Sequence, residues 1–210
     1  MAIYAVVNTK GGVGKSTIAV HLAAMLARTE STLLIDGDTQ PSAASWAEWR
    51  RETKDHGPSP TTTRLNGKAI LTEGKLLGAG FKHVVVDAGG RDSVGLRSAL
   101  LLADLAIIPI GASSFDSAAV TDLLEVVELA NDFNPELKVR VLLNRIDGRT
   151  KDAEEMRAYL TEQKMAVLES QVGERVAFRR AIKEGVTVHE LGRDVAAMSE
   201  MDAFFAEVQA

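Results

Sequence analysis

The sequence predicts an α/β fold: a single-domain, doubly wound, mostly parallel sheet flanked by helices. Three observations carry that expectation. Short apolar runs rich in β-branched residues recur along the chain, with the length and composition of strands buried on both faces. Stretches of helical period separate them. The connections are short, so successive elements form right-handed βαβ units. At 210 residues the chain has the length of one large domain, and residues 1–210 read as a single unit.

The elements follow in order. Ile3 to Val7 is the first strand, and Ile18 to Ala27 the helix after it. Thr32 to Ile35 is the second strand. Ala43 to Trp49 then reads as helical, with Trp46 and Trp49 three apart on one buried face, or alternatively at a partner contact. Glu52 to Thr63, with Pro58 and Pro60, is polar and turn-rich and reads as a mobile surface loop. His83 to Val86 and Leu105 to Ile110 are further strands, and Lys138 to Leu143 is a fifth with weaker alternation. Between the last two, Val120, Leu123, Leu124, Val127 and Ala130 fall on one helical face. Val195 to Val208 is an amphipathic closing helix in which Met201, Phe204 and Phe205 are core anchors.

Composition narrows the chemistry. Lys and Arg total 24 against 29 Asp and Glu, for a net charge of −5. That excludes a globally basic nucleic-acid binder but leaves room for a local basic face. The absence of cysteine excludes disulfides, zinc–thiolate centres and cysteine-ligated iron–sulfur clusters. No stretch reaches the roughly 20 apolar residues of a membrane span, and the first strand lacks a basic leader. A cytoplasmic location is the expectation.

The first strand runs into Asn8-Thr9-Lys10-Gly11-Gly12-Val13-Gly14-Lys15-Ser16-Thr17 and then directly into a helix. Glycines let the backbone turn with positive φ and approach a ligand closely. The loop N–H groups converge on phosphate oxygens at the positive end of the following helix. In such a loop Lys15 reaches the β- and γ-phosphates and the Ser16 hydroxyl ligates Mg²⁺. The strict phosphate-loop pattern has glycine where Thr9 stands, so the motif here is Lys-Gly-Gly-x-Gly-Lys-Ser/Thr.

Acids follow at the carboxyl ends of strands, where α/β sheets place ligands. Asp36 and Asp38 lie in Ile35-Asp36-Gly37-Asp38-Thr39-Gln40-Pro41, and a simpler reading makes Asp36 a helix cap. Val84-Val85-Val86-Asp87-Ala88-Gly89-Gly90 has the Walker-B arrangement, with Asp87 in the outer shell of the magnesium and Gly89 and Gly90 near the γ-phosphate. Asn144-Arg145-Ile146-Asp147 has the outline of a guanine-reading motif, with Arg for Lys. Arg175, Arg179, Arg180 and Lys183 pack four cations into nine positions of a helical stretch, either a solvated face or a surface for phosphate backbones.

With these residues in place, the chain resembles the ParA/MinD family of deviant Walker-A ATPases, over nearly its whole length. The resemblance implies the P-loop NTPase fold, ATP and Mg²⁺ as cofactors, and Lys10 to Thr17 together with Gly89 and Asn144 around the nucleotide. It implies that Lys10 reaches a partner subunit's nucleotide, giving an ATP-dependent homodimer. Asp38 positions the attacking water, and Asp36 supports the metal through its waters. The family's Asp-x-Asp-Pro-Gln switch has Thr39 here in place of proline. The base-end motif is assigned to ATP over GTP, with Asn144 near the base. The basic helix implies non-specific DNA binding and nucleoid association, with Arg175 alternatively serving the dimer interface.

The closing helix has four acids and no Lys or Arg from Asp194 onward, unlike the basic membrane-binding tail of MinD-type relatives. No membrane partner is expected. Larger relatives carry an N-terminal helix-turn-helix domain, for which the residues before Lys10 leave no room. The implied function is plasmid or chromosome partition, with turnover that is weak alone and stimulated by DNA and a centromere-binding partner. The alternatives are a cargo-positioning ATPase for a carboxysome or chemoreceptor cluster, or a GTP-using or regulatory P-loop protein.

Overall fold

Strand β1 (Ala2–Asn8) is buried along almost its whole length, as an apolar run must be when helices cover both sheet faces. Its neighbours are distant in sequence. β4 (His83–Gly89) flanks it on one side and β5 (Leu105–Gly111) on the other. With β2 (Thr32–Asp36), β3 (Thr61–Arg64), β6 (Lys138–Ile146) and β7 (Val167–Gly173), the seven strands take the order β3-β2-β4-β1-β5-β6-β7. Every described pairing is parallel. The computed structural model describes residues 1–54, 56–89, 94–111, 117–147 and 149–210.

Alternation along the strands divides the core into two layers. Ile3, Ala5 and Val7 of β1 face the side covered by α3 (Ala69–Gly78), α4 (Val94–Leu102), α5 (Ser117–Phe133) and α6 (Asp152–Glu162). Tyr4 and Val6 face α1 (Lys15–Leu26), α2 (Ser42–Glu52), α7 (Val176–Lys183), α8 (Val188–Leu191) and α9 (Val195–Gln209). Met201 and Phe204 of α9 are fully buried, and Phe205 packs partly buried against the same layer. On α5, Val120, Val127 and Ala130 are buried; the side chain of Leu123 lies outside the described residues. No helix among the described residues is long and apolar enough to cross a membrane.

Three expectations change. β3 and β7 had no apolar run to announce them. β3 is Thr-Thr-Thr-Arg at the sheet edge, held by its pairing with β2, and β7 alternates buried and exposed positions. The segment Glu52 to Thr63, expected as a mobile loop, enters β3 at its end, and its middle is pinned by Arg50. Of the two tryptophans, Trp46 is fully buried and donates its indole N–H to the Val186 carbonyl at 3.2 Å, whereas Trp49 is 41% exposed.

Arg50 is the centre of a buried polar hub. Its guanidinium donates to Ser59 Oγ and to the carbonyls of Gly57, Pro58 and Gly185 at 2.9–3.1 Å. It also meets both oxygens of Glu190 at 2.7 and 2.9 Å and lies over the Trp46 ring. Burial alone would raise the Glu190 carboxyl; the hydrogen bonds from Arg50, Thr187 and Gly57 bring it down to about 2. Nearby, His21 of α1 is buried with both ring nitrogens engaged. Nδ1 donates to the Thr17 carbonyl at 2.7 Å and Nε2 accepts from the Val188 N–H at 3.1 Å. Burial lowers its pKa to about 4.

Candidate active site

The loop between β1 and α1 is anchored before it turns. Asn8 donates its side-chain amide to the Pro109 carbonyl at 2.8 Å and accepts the Lys10 N–H at 2.8 Å. Gly14 has φ +89, and a Cβ there would strike the amide of Asn144, so the turn requires glycine. The first turn of α1 has neither a side-chain cap nor an acidic residue. Its N–H groups and positive dipole end are therefore left for an anion from outside the chain.

Lys15, buried at the start of α1, curls back over this loop. Its ammonium donates to the Lys10 carbonyl at 3.1 Å and lies 3.9 Å from Asp38 Oδ2. The stem crosses directly over Gly89 at the end of β4, where a Cβ would collide with it. Asp38 also accepts the Gln40 N–H at 3.0 Å. One short path thus joins the loop lysine, an acid after β2 and the end of β4.

Asp36 and Asp87 are opposite each other in the β2–β4 ladder, and both are fully buried. They differ in satisfaction. Asp36 accepts the N–H of Asp38 at 3.2 Å and the N–H of Ala44 in α2 at 2.7 Å, so the helix-capping reading of this residue describes its contacts. Burial raises its pKa and these hydrogen bonds oppose the shift. Neither oxygen of Asp87 has a hydrogen-bond partner. Burial pushes its pKa up to about 7; the Ser16 hydroxyl beside it lowers the value in part without reaching hydrogen-bond geometry, while Asp36 and Asp38 add to the rise and Lys15 opposes it. An orphaned buried carboxylate calls for a cation. Among the described residues no cluster of three or more His, Cys, Asp or Glu side chains could hold a metal by itself. Hard oxygen donors supplemented by waters and ligand phosphates are what Mg²⁺ takes, and the Ser16 hydroxyl with the carboxylates of Asp36 and Asp87 fits that ion.

A cavity of about 540 Å³ opens over the loop, a size suited to a small ligand. Of the expected site residues it brings together Gly11, Gly12, Gly14, Lys15, Ser16, Thr17, Asp38, Asn144, Arg175 and Arg179. Lys10, Val13, Asp36, Asp87, Gly89, Arg180 and Lys183 do not line it. Gly90 lies outside the described residues. The amide of Asn144 donates to the Val13 carbonyl at 2.7 Å, so besides lining the cavity it holds the loop. Asp147, the carboxylate a guanine would need, is also absent from the lining. It is forked by Arg149 at 2.6 and 2.9 Å, which draws its pKa down to about 2.

The basic helix divides. Arg175 is bound by Glu200 of α9 at 2.6 and 3.0 Å, so its charge is compensated within the chain and the expected DNA contact is not what its geometry favours. Arg179 lies 3.5 Å from Glu174. Val176, Arg179, Arg180 and Lys183 are exposed along one stripe, and Ala177, Phe178 and Ala181 face the core. Sequence reasoning missed Arg145, Glu174, Phe178 and Ile182 in the cavity wall. The last two recur at helical spacing inside the basic run, a signal that the charges overshadowed.

Fold and site together define a P-loop nucleotide-binding protein. Residues 4–188 match the CobQ/CobB/MinD/ParA nucleotide binding domain, and the chain belongs to that family. It is 30% identical over 207 residues to Maintenance of carboxysome distribution protein A of Halothiobacillus neapolitanus, covering 97% of this chain and 94% of the relative. It is also 30% identical over 184 residues to the chromosome-partitioning ATPase Soj of Thermus thermophilus, covering 74% of each. Among solved structures, apo McdA of Cyanothece superposes with TM-score 0.80 at 17% identity over 99% of both chains. MinD of Pyrococcus horikoshii, complexed with Mg-ADP, gives 0.74 at 18% identity over 96% of this chain and 93% of that one.

Proposed function

We propose that the protein is a Mg²⁺-dependent ATPase that dimerises on ATP and positions a cargo by transient, sequence-blind binding to DNA. The observation that carries this reading is the meeting of Lys15, Asp38 and the orphaned Asp87 beneath an uncapped helix N-terminus. When bound, Mg²⁺ neutralises charge on the β- and γ-phosphates. The N–H groups of the loop cradle the inner phosphates, and Lys15 reaches the β- and γ-phosphates. A phosphate that takes over the Lys15 ammonium frees Asp38 to orient and accept a proton from the attacking water. Lys10 does not line its own chain's cavity, which supports its action on the nucleotide of a second copy. Withdrawal of Asp147 from the cavity supports ATP over GTP.

Arg179, Arg180 and Lys183 are the proposed DNA contacts. Their number gives weak, salt-sensitive binding that doubles in valency on dimerisation. Similarity to a carboxysome distribution protein across 97% of the chain supports a protein assembly as the cargo, reversing the order in which the sequence ranked the two cargoes. Similarity to Soj over 74% supports the second reading, DNA partition with a centromere-binding partner. In either case DNA and a partner protein stimulate turnover.

The test is titration with a fluorescent ATP analogue and Mg²⁺, alongside sedimentation with plasmid DNA. Lys15→Ala is expected to abolish nucleotide binding. Asp38→Ala should bind ATP, dimerise and stay on DNA without turnover. Micromolar ATP affinity in Lys15→Ala, or wild-type turnover in Asp38→Ala, overturns the assignment.

A further inference from the structure

Arg145 is the member of the Asn144-Arg145-Ile146-Asp147 motif to which the nucleotide reading gives no role, and three features of the backbone and side chain converge on it. The β6–β7 ladder slips around it: Asn144 pairs with Val172 and Ile146 with Gly173, leaving Arg145 as an extra residue. Such a bulge re-aims a side chain. Its φ is +57, a conformation that residues with a Cβ rarely adopt and that persists where surrounding contacts impose it. Its guanidinium spans two elements. Nη1 donates to the Gly12 carbonyl in the phosphate loop at 2.5 Å, and Nη2 donates to Glu174 Oε1 at 2.7 Å. Glu174 is itself fixed, its N–H donating to the Ile146 carbonyl at 3.0 Å.

We propose that Arg145 is a positioning residue that sets the shape of the phosphate loop. In a planar trans peptide the carbonyl of one residue and the N–H of the next point in opposite directions. A grip on the Gly12 carbonyl therefore fixes the direction of the Val13 N–H, and it withholds that carbonyl from anionic oxygens that it would repel. Asn144 holds the next carbonyl, that of Val13, so adjacent residues of β6 grip adjacent peptide units of the loop. The forked guanidinium is needed because two acceptors on different elements are bridged at once, which a lysine ammonium on a flexible stem does poorly. Glu174 Oε1 also lies 3.5 Å from Arg179, so the carboxylate that steadies the loop clamp touches the proposed DNA-binding stripe.

The inference rests on the nucleotide reading, and the experiment separates the two. Arg145→Gly removes the guanidinium while adopting φ +57 without strain, so the variant should fold with an unchanged melting temperature. Fluorescent ATP-analogue titration with Mg²⁺ and basal ATP turnover are measured for wild type, Arg145→Gly, Arg145→Lys and Lys15→Ala. Arg145→Gly is expected to weaken binding about tenfold and to raise KM with kcat within about twofold, as loss of binding common to ground and transition states requires. Arg145→Lys should stay within about threefold of Arg145→Gly, because charge without the fork does not restore the clamp. Full rescue by lysine would reduce Arg145 to a diffuse cation and overturn the proposal. So would wild-type affinity in Arg145→Gly, or a loss in kcat alone. Retained binding in Lys15→Ala would instead indict the nucleotide reading.

Discussion

Arg50 and Asp87 are both ionisable and both buried, at 2% and 0% exposure, yet their surroundings are opposite. Arg50 meets carbonyls, a hydroxyl and the two oxygens of Glu190, so its donors are occupied and its charge is matched. Asp87 meets none, and a second buried acid stands across the ladder from it. The first arrangement is complete without help. It ties α2, the segment at 57–59 and the turn after α7 into one body. The second is left incomplete by the chain's own groups, and such unmet charge is what functional sites retain at the expense of stability.

The contrast is broken most severely at the hub. Arg50→Ala strands the Glu190 carboxylate and several carbonyls, and breaking a buried pair from one side costs about 3–5 kcal/mol. For a domain of this size that is a fall in melting temperature on the order of 10 °C, readable by calorimetry. An unchanged melting temperature would mean the hub is decorative. At Asp87 the sign reverses. Its folded pKa stands above its unfolded value, so the native state holds a proton that the unfolded state has released between the ordinary carboxylate range and about 7. That penalty grows as pH rises through the window and is full above it. Asp87→Asn should therefore stabilise the metal-free, nucleotide-free protein by up to about 4 kcal/mol at pH 8 and by less than half of that at pH 5. A lower melting temperature for the variant at pH 8 would show that the acid is satisfied in solution.

His21 gives the smallest effect and sharpens the comparison, being buried, neutral and satisfied. Its folded pKa lies below the unfolded one, so the unfolded state takes up more protons as pH falls below about 6.5. Stability is full above that value and is lost on acidification. Between pH 7 and pH 5.5 wild type should lose about 1 kcal/mol more than His21→Gln. Parallel pH curves for the two would remove His21 as a titrating site.

What could be read in the sequence follows from what is local. β1, β2, β4, β5 and β6 start within a residue of their apolar runs, because burial on both faces leaves a continuous signal. The phosphate loop, Asp36 and Asp87 were legible for the same reason: each directly follows such a run. β3 was not, since Thr61 to Arg64 has no buried stripe and becomes a strand only through pairing with β2. The Arg50–Glu190 pair joins residues 140 apart in sequence, and neither carries a local pattern that separates it from a solvated charge. Asn144 was legible as a site residue, but its grip on the Val13 carbonyl depends on how β6 lies against the loop, which only the sheet order supplies.

That order also sets a timetable for the nascent chain. Strand β1, which leads into the glycine loop, is translated before both of its partners, which begin at His83 and Leu105. At about 5–20 residues per second of synthesis, Ala2–Asn8 waits on the order of several seconds with both edges unpaired. An apolar strand of this kind is prone to stray pairing while it waits. The part of the molecule that ends deepest in the sheet is thus the part longest in need of protection on the ribosome.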